Sequence, residues 1–497
     1  MQTRRDQVQA HQFVVSRLTT GLQRGNPDEP ETPTRRTNRG VVIGALIGVL
    51  VCIGSLVYGF VRPGGATSWR DGKTLIVEKS TGTRYLYDGA LRPVLNYASA
   101  RLIIGPDMTT DDISTASLEG VARGTSVGIE GAPDALPSAS QLNDGPWEVC
   151  AGMRTTDGGE SAPTTSLIIT AEGEDSSSGP DGAILVQDSK SHDTFLLWHG
   201  SRFEMAAGNS TRNALGYSSA TPLMVSATFL NALPAGPDLK PPSVSGQGGA
   251  GPRLDGEQSR IGQVFTVDTP GSAQQYYLLQ RAGLVPLTAT QAALALSGPG
   301  TRDKAYDHDT PALIPLSADA LNEALAPAST SGEARNVQRA GEELPASPPK
   351  LTSVPEEKNV CARLAPRGKQ GTYVSLVLAD TSALAKASAR PQRGVTSACL
   401  KVDALFVPPS RGSLVRALGS AGGAVGSTTY LITDSGVKYR IPTAADAELL
   451  GVDLASAQAL PSPLLRMLPT GPDLTQAAAL AGHGETGGDR GCADDSR

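Results

Sequence analysis

Residues 41–61 read VVIGALIGVLVCIGSLVYGFV and carry no charged side chain. An α-helix rises about 1.5 Å per residue, so about 20 apolar residues cross the hydrocarbon core of a bilayer. The run therefore predicts one transmembrane helix. A buried core helix is seldom uncharged on every side over this length. A cleaved signal peptide does not fit either, because a long segment precedes the run and no A-x-A-like site follows it.

Basic residues beside this run indicate its orientation. Arg35, Arg36 and Arg39 precede it closely, whereas Arg62 follows it. Over a wider window the two sides nearly balance, because residues 70–79 add three more basic side chains. Positive charge tends to stay on the cytoplasmic side of a membrane. We therefore expect a single-pass protein of the cell membrane with a cytoplasmic N-terminus and its bulk outside the cytoplasm.

The segment before the anchor is predicted to contain an amphipathic helix at residues 4–25 and a Pro-, Thr- and Arg-rich linker at 26–40. Such a helix lies on an anionic inner leaflet or packs into a partner subunit. The residues predicted to contact the membrane or a partner are Arg4, Arg5, Val8, Val15, Leu18, Leu22, Arg35, Arg36 and Arg39.

Composition limits what lies beyond residue 61. The remaining stretch is long enough for several cores, and the whole chain is rich in Gly and Pro with 4% aromatic residues. This favours two or more small modules joined by long loops over one large enzyme barrel. The net charge is −6, and the basic cluster adjoins the membrane run, so nothing favours a nucleic-acid partner.

An internal pattern recurs four times beyond the anchor, at residues 84–105, 194–217, 275–296 and 429–452. Each copy begins with an aromatic-led strand, turns at a glycine and enters a helix through a polar capping residue. The aromatic residues are Tyr85, Phe195, Tyr277 and Tyr430; the glycines are Gly89, Gly200, Gly283 and Gly436; the caps are Asn96, Asn209, Thr288 and Thr443.

A further apolar run precedes each copy, at 74–78, 183–187, 263–267 and 413–418. The repeated unit is then a strand, a hairpin and a helix; chance similarity among hairpins is the alternative. The predicted fold class is α+β. A single-pass membrane anchor precedes an extracytoplasmic region of four small strand-hairpin-helix repeats around a central β-rich domain.

The predicted boundaries follow from these patterns and from Pro/Gly/Ser-rich inserts. They are 1–40, cytoplasmic helix and linker; 41–61, transmembrane helix; 62–120, repeat 1; 121–180, first part of the central domain; 181–232, repeat 2; 233–260, Gly/Pro-rich linker; 261–325, repeat 3; 326–357, Pro-rich loop; 358–408, second part of the central domain; 409–474, repeat 4; and 475–497, disordered tail.

Cysteine positions fit this topology. Cys52 lies inside the anchor, and the other four lie beyond it, in what would be an oxidising compartment. Cys150 and Cys361 sit in short apolar, strand-like runs, so this pair is favoured. Bonds from Cys399 to either of them remain open, as does a role for all as small buried side chains. Cys492 sits in a polar tail and is expected to stay out of any structural bond.

The sequence carries no recognisable catalytic motif. It has no G-x-x-x-x-G-K-[ST], no H-E-x-x-H, no G-x-S-x-G and no C-x-x-C. A hydrolase triad would have to use His192 or His199, and neither has a recognisable nucleophile motif. We therefore expect no catalytic residue, no cofactor and no metal.

Several stretches resemble one known family. They are RRDQVQAHQFVVSRL at 4–18, RPGGATSWRDGKTLIVEKSTGTRYLY at 62–87, LRPVLNYASARLI at 91–103, VPPSRGSLV at 407–415 and LPTGPDL at 468–474. Together with the single anchor they are similar to EccB, membrane component B of type VII (ESX) secretion in actinobacteria. The resemblance covers most of residues 1–475.

The resemblance implies a channel component with a short cytoplasmic helix, one span and extracytoplasmic repeats around a central domain. It implies one disulfide, between the positions of Cys150 and Cys361, and leaves Cys399 as an extra cysteine. The implied partners are EccC-, EccD- and EccE-like subunits, other copies of the chain and the membrane. The implied motor of the system is the EccC-like subunit.

Three functional hypotheses follow. The first is a non-catalytic scaffold of the secretion channel that also forms its extracytoplasmic part. The second is an extracytoplasmic or membrane-bound ATPase or hydrolase of the same system, because family members are sometimes labelled ATPases. The third, a tethered binding module for cell-wall glycan, lacks support because Trp69, Trp147 and Trp198 are far apart in the sequence.

Overall fold

The computed structural model describes residues 4–24, 33–61, 67–142, 145–155, 159–169, 179–180, 182–206, 209–327, 336–337, 343–366, 372–380, 394–418 and 424–482. We call these the described residues.

Two long helices come first. Helix α1 spans Arg4–Arg24, and helix α2 spans Pro33–Val61. Helix α2 therefore begins before the apolar run, and its first turns replace the second half of the linker predicted at 26–40. Proline is compatible with a helix start because the first N–H groups of a helix have no partner inside the helix. The predicted contact positions 35, 36 and 39 thus lie on α2.

Unit 1, residues 69–127, contains the first sheet. Its elements are β1 Thr74–Glu78, β2 Arg84–Tyr87, β3 Leu91–Pro93, α3 Tyr97–Ile104 and β4 Thr109–Ile113. The strand order is β3-β2-β1-β4. Strands β1 to β3 form an antiparallel meander. Strand β4 runs parallel to β1, because helix α3 carries the chain back across the sheet.

In the described residues, three further four-stranded sheets repeat this order. Unit 2, residues 183–239, has β7 Ile184–Asp188, β8 Thr194–Trp198, β9 Ser201–Glu204, α5 Asn209–Ala214 and β10 Leu223–Val225. Unit 3, residues 263–326, has β13 Val264–Val267, β14 Gln275–Gln280, β15 Gly283–Leu287, α7 Ala289–Leu296 and β16 Ile314–Pro315. Unit 4, residues 413–474, has β20 Ser413–Leu418, β21 Ala424–Ile432, β22 Lys438–Ile441, α9 Ala444–Leu450 and β23 Gln458–Pro461.

Each unit continues past its fourth strand into a short helix. These helices are α4 Thr115–Leu118, α6 Ala227–Leu230, α8 Ala318–Ala324 and α10 Ser462–Leu465. The chain then returns beside the third strand through the parallel pairs Leu91–Arg123, Arg202–Ala235, Leu284–Leu325 and Lys438–Thr470. The returning segment covers the outer edge of the third strand, which would otherwise be open to pairing with another chain.

Units 2 and 4 close with nearly the same sequence, which we call the closing motif: LPAGPDL at 233–239 and LPTGPDL at 468–474. In unit 2, Arg202 N donates to Pro234 O at 2.9 Å, and Gly236 N donates to Arg202 O at 2.8 Å. Lys438 makes the corresponding bonds in unit 4, at 3.0 and 2.9 Å. Glycine is required in the motif because a Cβ on Gly236 would overlap the Phe203 ring.

The central sheet has the strand order β18-β17-β5-β6-β19. Its strands come from two distant parts of the chain: β5 Trp147–Thr155, β6 Ser161–Ile169, β17 Lys358–Pro366, β18 Thr372–Asp380 and β19 Ala404–Phe406. A separate hairpin, β11 Ala250–Leu254 and β12 Glu257–Arg260, lies within the linker predicted at 233–260. Further short helical turns span Ser68–Asp71, Ala139–Gln141, Thr301–Ala305 and Leu454–Ser456.

The largest apolar core joins the central sheet to units 2 and 4. It combines Trp147 and Val149 of β5 with Val186 and Leu197 of unit 2 and with Val415 and Leu460 of unit 4, all buried. Burial of such side chains is the main favourable term in folding, about 1.5–3 kcal/mol for each large one. The central sheet is therefore held between two units of the same strand order.

Unit 1 packs against unit 4, and unit 3 packs against unit 2. Leu102 of α3 packs with Tyr439 and Leu450 of unit 4, and Leu294 of α7 packs with Leu196 of unit 2. Helix α3 contacts α9, and α5 contacts α7. The described cores therefore connect in the order unit 1, unit 4, central sheet, unit 2, unit 3.

Helix starts were predicted well where a polar residue caps the helix. Asn96 Oδ1 accepts from Ser99 N at 3.0 Å, and Thr288 forms a capping box with Gln291. Thr443 caps α9 by accepting from Asp446 N at 3.1 Å, without a capping box. Asn209 is the exception, because it is the first residue of α5 and not the residue before it.

The tail predicted to be disordered at 475–497 is folded in its first part. Helix α11 spans Gln476–Ala481, Thr475 caps it, and Ala479 is fully buried against unit 1. Alanine and leucine favour helix strongly, which outweighs the short length of the segment. Residues beyond Gly482 lie outside the described residues.

Candidate functional site

Helix α1 presents large apolar side chains to its surroundings. Leu22 is 85% exposed, Leu18 60%, Val8 56% and Val15 45%, and Phe13 is also exposed. Burying apolar surface is worth about 25 cal/mol per Å², so an open stripe of this kind marks a binding surface. We call Val8, Val15, Leu18 and Leu22 the α1 stripe.

Basic side chains accompany this stripe. Arg4 and Arg5 lie exposed in the first turn of α1. The guanidinium of Arg17 lies 5.9 Å from the centre of the Phe13 ring. A helix with exposed apolar and basic side chains is suited to a membrane surface or to a groove on another protein. The structure thus places six predicted contact residues on one helix.

Helix α2 has the length and composition of a membrane span. Residues Thr37–Gly59 have a mean hydropathy of 2.7, and none of this segment is buried within the described residues. A core helix of a soluble protein would be covered by other elements. The exposed apolar surface of α2 therefore fits lipid as its surroundings.

A disulfide joins Cys150 of β5 to Cys361 of β17. The two residues are directly opposite each other in the antiparallel pair, and both are fully buried. Glu148 and Arg363, two pairs further along, form an ion pair at 3.7 Å. Glu148, Cys150 and Cys361 also lie close enough to suggest a metal site, but both sulfur atoms are used by the disulfide and offer no thiolate.

The other cysteines have different surroundings. Cys52 is free and exposed on α2. Cys399 is also disulfide-bonded. The two bonds that the sequence analysis left open for it, to Cys150 or to Cys361, do not form, because those two cysteines are bonded to each other. Cys492, which we expected outside any structural bond, lies outside the described residues.

A basic side chain lies over an aromatic ring at the same place in units 2 and 4. The guanidinium carbon of Arg202 is 5.7 Å from the centre of the Phe195 ring, and Lys438 Nζ is 5.6 Å from that of Tyr430. Each pair joins the third strand to the second. Burial lowers the pKa of Arg202, and the charge of Glu204 opposes this shift. These pairs stabilise the hairpin that the closing motif covers.

The two histidines considered for a hydrolase lie in tight turns of unit 2. His192 has φ of 62° and His199 has φ of 47°, in the left-handed region that few residues other than glycine adopt. The imidazole of His199 stacks on Trp198 with ring centres 3.9 Å apart. Their geometry is that of turn residues.

A groove with a volume of about 700 Å³ lies along unit 2. Its walls include Leu185, Pro222, Leu351 and Val354, and Glu356 contributes a charge at the wall. A mostly apolar groove with one carboxylate offers surface for packing. It does not bring together an acid, a base and a nucleophile from these lining residues.

Comparison with known proteins agrees with this arrangement of one apolar helix and several small sheets. The family model described as "Type VII secretion system ESX-1, transport TM domain B" matches residues 1–486. The chain belongs to the EccB family. It is therefore a structural core component of a type VII secretion system.

Members of this family from mycobacteria match along nearly the whole chain. "ESX-3 secretion system ATPase EccB3" of Mycolicibacterium smegmatis is 26% identical, over 96% of this chain and 90% of that relative. "ESX-5 secretion system ATPase EccB5" of Mycobacterium tuberculosis is 27% identical, over 96% and 93%.

Chains of two solved ESX structures have the same fold. A chain of an intact ESX-5 inner membrane complex aligns with a TM-score of 0.61 at 22% identity, covering 98% of this chain and 96% of that one. The EccB3 dimer from the ESX-3 core complex aligns with a TM-score of 0.61 at 23% identity, covering 82% and 99%.

The sequence missed two features of units 2 and 4. The closing motif occurs twice in the sequence, and a search for repeated heptapeptides would have found it. The basic–aromatic pairs have no distinctive sequence pattern, because basic and aromatic residues often occur close together in the sequence of a hairpin. Only the register of the strands brings the two side chains together.

Proposed function

We propose that the chain holds a type VII secretion complex together across the membrane. Helix α1 lies in the cytoplasm, α2 spans the membrane, and residues 67–482 fold outside the cytoplasm. The observation that carries this proposal is the uneven burial of apolar side chains. Those of α1 and α2 are exposed, whereas Leu75, Val186, Val264 and Leu431 of the four units are buried. The four units thus bury these apolar side chains within the chain itself, whereas the apolar side chains of α1 and α2 need lipid or a partner to cover them.

We further propose that units 1 to 4 are repeats of one fold. Their common strand order, the short helix after the fourth strand and the return beside the third strand support this. The domain boundaries predicted from the sequence then shift to those of the units and the central sheet. The Cys150–Cys361 bond is suited to an oxidising compartment, which supports the same topology.

The proposed partners are subunits like EccC, EccD and EccE, other copies of this chain and the membrane itself. Solved relatives occur in an ESX-5 inner membrane complex and as an EccB3 dimer. The α1 stripe provides apolar surface for a cytoplasmic partner. Arg4, Arg5, Arg35, Arg36 and Arg39 provide charge for partner carboxylates or anionic lipid. The folded region has no basic stripe of the kind that binds nucleic acid, as judged from its sequence.

The experiment replaces two residues of the α1 stripe, Val15→Asp with Leu18→Asp, in cells that depend on this chain for secretion. The matched control is Gln9→Asp with Ser16→Asp, which adds the same charge on the other side of α1. We expect the first variant to stay in the membrane, to lose co-purifying subunits and to secrete at least tenfold less. Equal secretion by both variants would overturn the role of α1.

A second candidate function is nucleotide hydrolysis, because the names of the mycobacterial relatives contain "ATPase". The purified full chain in detergent can be assayed for ATP turnover. Turnover abolished by a single substitution in residues 67–482 would establish this activity. Under the scaffold proposal, purified chain free of other subunits turns over no ATP above a buffer control.

A further inference from the structure

Other parts of the chain lie against the fourth strand in units 2, 3 and 4. In unit 4, Thr372 Oγ1 of the central sheet donates to Ala459 O of β23 at 2.9 Å. In unit 2, strand β10 contacts β6 of the central sheet. In unit 3, Ser317 N, just after β16, donates to Asp255 Oδ2 in the turn of the β11–β12 hairpin at 2.8 Å. Units 2 and 4 thus meet the central sheet through their fourth strands.

Unit 1 leaves the edge of its fourth strand open. Strand β4 pairs with β1 along its whole length, and Thr109 N donates to Lys73 O at 3.1 Å. The N–H and C=O groups of successive strand residues point to alternate sides, so those of Thr110 and Asp112 point away from β1. Both residues are exposed, and among the described residues their backbone groups have no hydrogen-bond partner.

Strand register shows which positions of units 1 and 4 correspond. The aromatic residues of the repeated pattern, Tyr85 and Tyr430, are opposite corresponding residues of the first strands. From this register Asp112 of β4 corresponds to Ala459 of β23. The carbonyl that accepts a bond from the central sheet in unit 4 therefore has a counterpart in unit 1 that is open to a partner.

The open edge of β4 is acidic. Asp111 and Asp112 are exposed, and in the part of the chain that the structure describes neither carboxylate forms an ion pair or a hydrogen bond. Successive side chains of a strand point to opposite faces, so each face of the sheet carries one of them. Lys73 and Lys79 fall one residue outside the paired stretch of β1. Pairing of this edge with that of a second copy would bring like charges together, which is unfavourable.

We infer that the edge of β4 binds an extended segment of a different protein, which joins the sheet of unit 1 as an additional strand. The backbone of that segment exchanges hydrogen bonds with Thr110 and Asp112. Two consecutive Lys or Arg residues in the segment place one cation beside each aspartate, on opposite faces of the sheet. The inference rests on the proposed function, in which the chain belongs to an assembly, and adds a contact surface outside α1.

Hydrogen exchange with single-residue resolution tests whether the edge is occupied. The full chain is measured in the complex isolated from native membranes and again when purified by itself in detergent. The amide of Thr110 should exchange about tenfold more slowly in the complex, and that of Asp112 likewise. The amides of Asp111 and Ile113 face β1. They should be slow in both samples, which shows that the sheet is intact.

Charge reversal tests the chemistry of the partner. Asp111→Lys with Asp112→Lys should return the Thr110 amide in the complex to the exchange rate of the lone chain, because the partner's cations then meet cations. The matched control, Asp319→Lys with Glu323→Lys, makes the same change of charge at exposed positions of α8 in unit 3 and should keep the protection. The Ile113 amide reports that the sheet is folded in each variant.

A photo-crosslinking side chain at position 110 identifies the occupant in native membranes. The crosslinked peptide should come from another protein and should contain two consecutive basic residues. A crosslink to a second copy of this chain, or to a segment without that basic pair, would overturn the inference.

The exchange data can also overturn it. Equal exchange of Thr110 in an intact complex and in the lone chain would show that the edge is unoccupied, and only the inference then fails. Protection that survives the charge reversal would show that the partner does not recognise the aspartates. Recovery of a lone monomer from native membranes would overturn the proposed function as well.

Discussion

Units 2 and 4 share their strand order and closing motif and differ in their charged residues. Both have the strand order of units 1 and 3, and both add the closing motif and a basic side chain over an aromatic ring. Val186 and Val415, from the first strand of each, lie in the same core with the central sheet. The shared features are the ones that fix the backbone.

Their charged residues have diverged. In unit 4, Arg440 and Asp473 of the closing motif form a two-point ion pair, and Lys438 is buried with Nζ donating to Leu465 O at 2.7 Å. In unit 2 the corresponding aspartate, Asp238, pairs with Lys240 at 3.0 Å on the exposed surface. This contrast indicates that apolar and glycine positions define the unit, and that ion pairs adjust its local stability.

The largest expected effect comes from the disulfide of the central sheet, which both units contact. Cys150→Ala with Cys361→Ala should lower the free energy of unfolding by about 2–5 kcal/mol, because the bond closes a long loop in the unfolded chain. Urea unfolding of the full chain in detergent measures this, with Cys52→Ala as control. Hydrogen exchange should rise in units 2 and 4 alike. A rise in one unit alone would show that the central sheet does not support units 2 and 4 equally.

The next effect tests the glycine of the closing motif. Gly236→Ala and Gly471→Ala each place a Cβ against a ring, that of Phe203 or Tyr439, and should each cost about 2–3 kcal/mol. Urea unfolding compares the two variants with the unaltered chain. Truncating the ring, as in Tyr439→Ala, should make Gly471→Ala nearly neutral. A persisting cost in that background would show that the ring is not the reason for glycine.

The buried cation should distinguish the units. Lys438→Ala leaves a cavity and removes the shorter of the two hydrogen bonds that the Leu465 carbonyl accepts, the other coming from Leu468 N, which should cost about 2 kcal/mol. Arg202→Ala removes a partly exposed side chain and should cost about 1 kcal/mol, mostly from its contact with Phe195. The two free energies of unfolding come from the same urea titrations. Equal losses would mean that the charges of the two units have the same role.

The smallest effect appears at high pH. Burial raises the pKa of Tyr439 to about 12, whereas unit 2 has Phe203 at this place. An unfolded tyrosine ionises near pH 10, so the stabilisation is full below pH 10 and is lost as pH rises toward 12. Relative to Tyr439→Phe, the unaltered chain should lose about 1 kcal/mol by pH 11. Thermal unfolding between pH 8 and 11 measures the difference, and parallel curves would contradict it.

Sequence patterns predicted the parts of the fold that depend on local signals. The uncharged run at 41–61, the hairpin glycines and caps such as Thr288 each have a local physical cause, and the structure places helices and turns there. The fourth strands were missed because their residues give no strand pattern. Thr109–Ile113 has four exposed residues out of five, and Ile314–Pro315 is too short. These strands form because a parallel neighbour pairs with them, which is information from distant residues.

In the candidate site, too, the features that depend on local sequence were predicted, and those that depend on distant residues were left with alternatives. The α1 stripe follows from spacing along one helix, and the structure keeps it exposed. Cys150 and Cys361 face each other because of the register of two strands that lie far apart in the sequence. The residues alone therefore left bonds from Cys399 to either cysteine open. The family resemblance favoured the same pair because it contains such long-range information.

The central claim is that this chain acts by holding an assembly together. The most direct test is to solubilise native membranes in mild detergent, isolate the chain through a tag and determine the mass and composition of its complex. The account predicts one large assembly that contains several copies of the chain together with other secretion subunits. A chain recovered from native membranes as a lone monomer would contradict it.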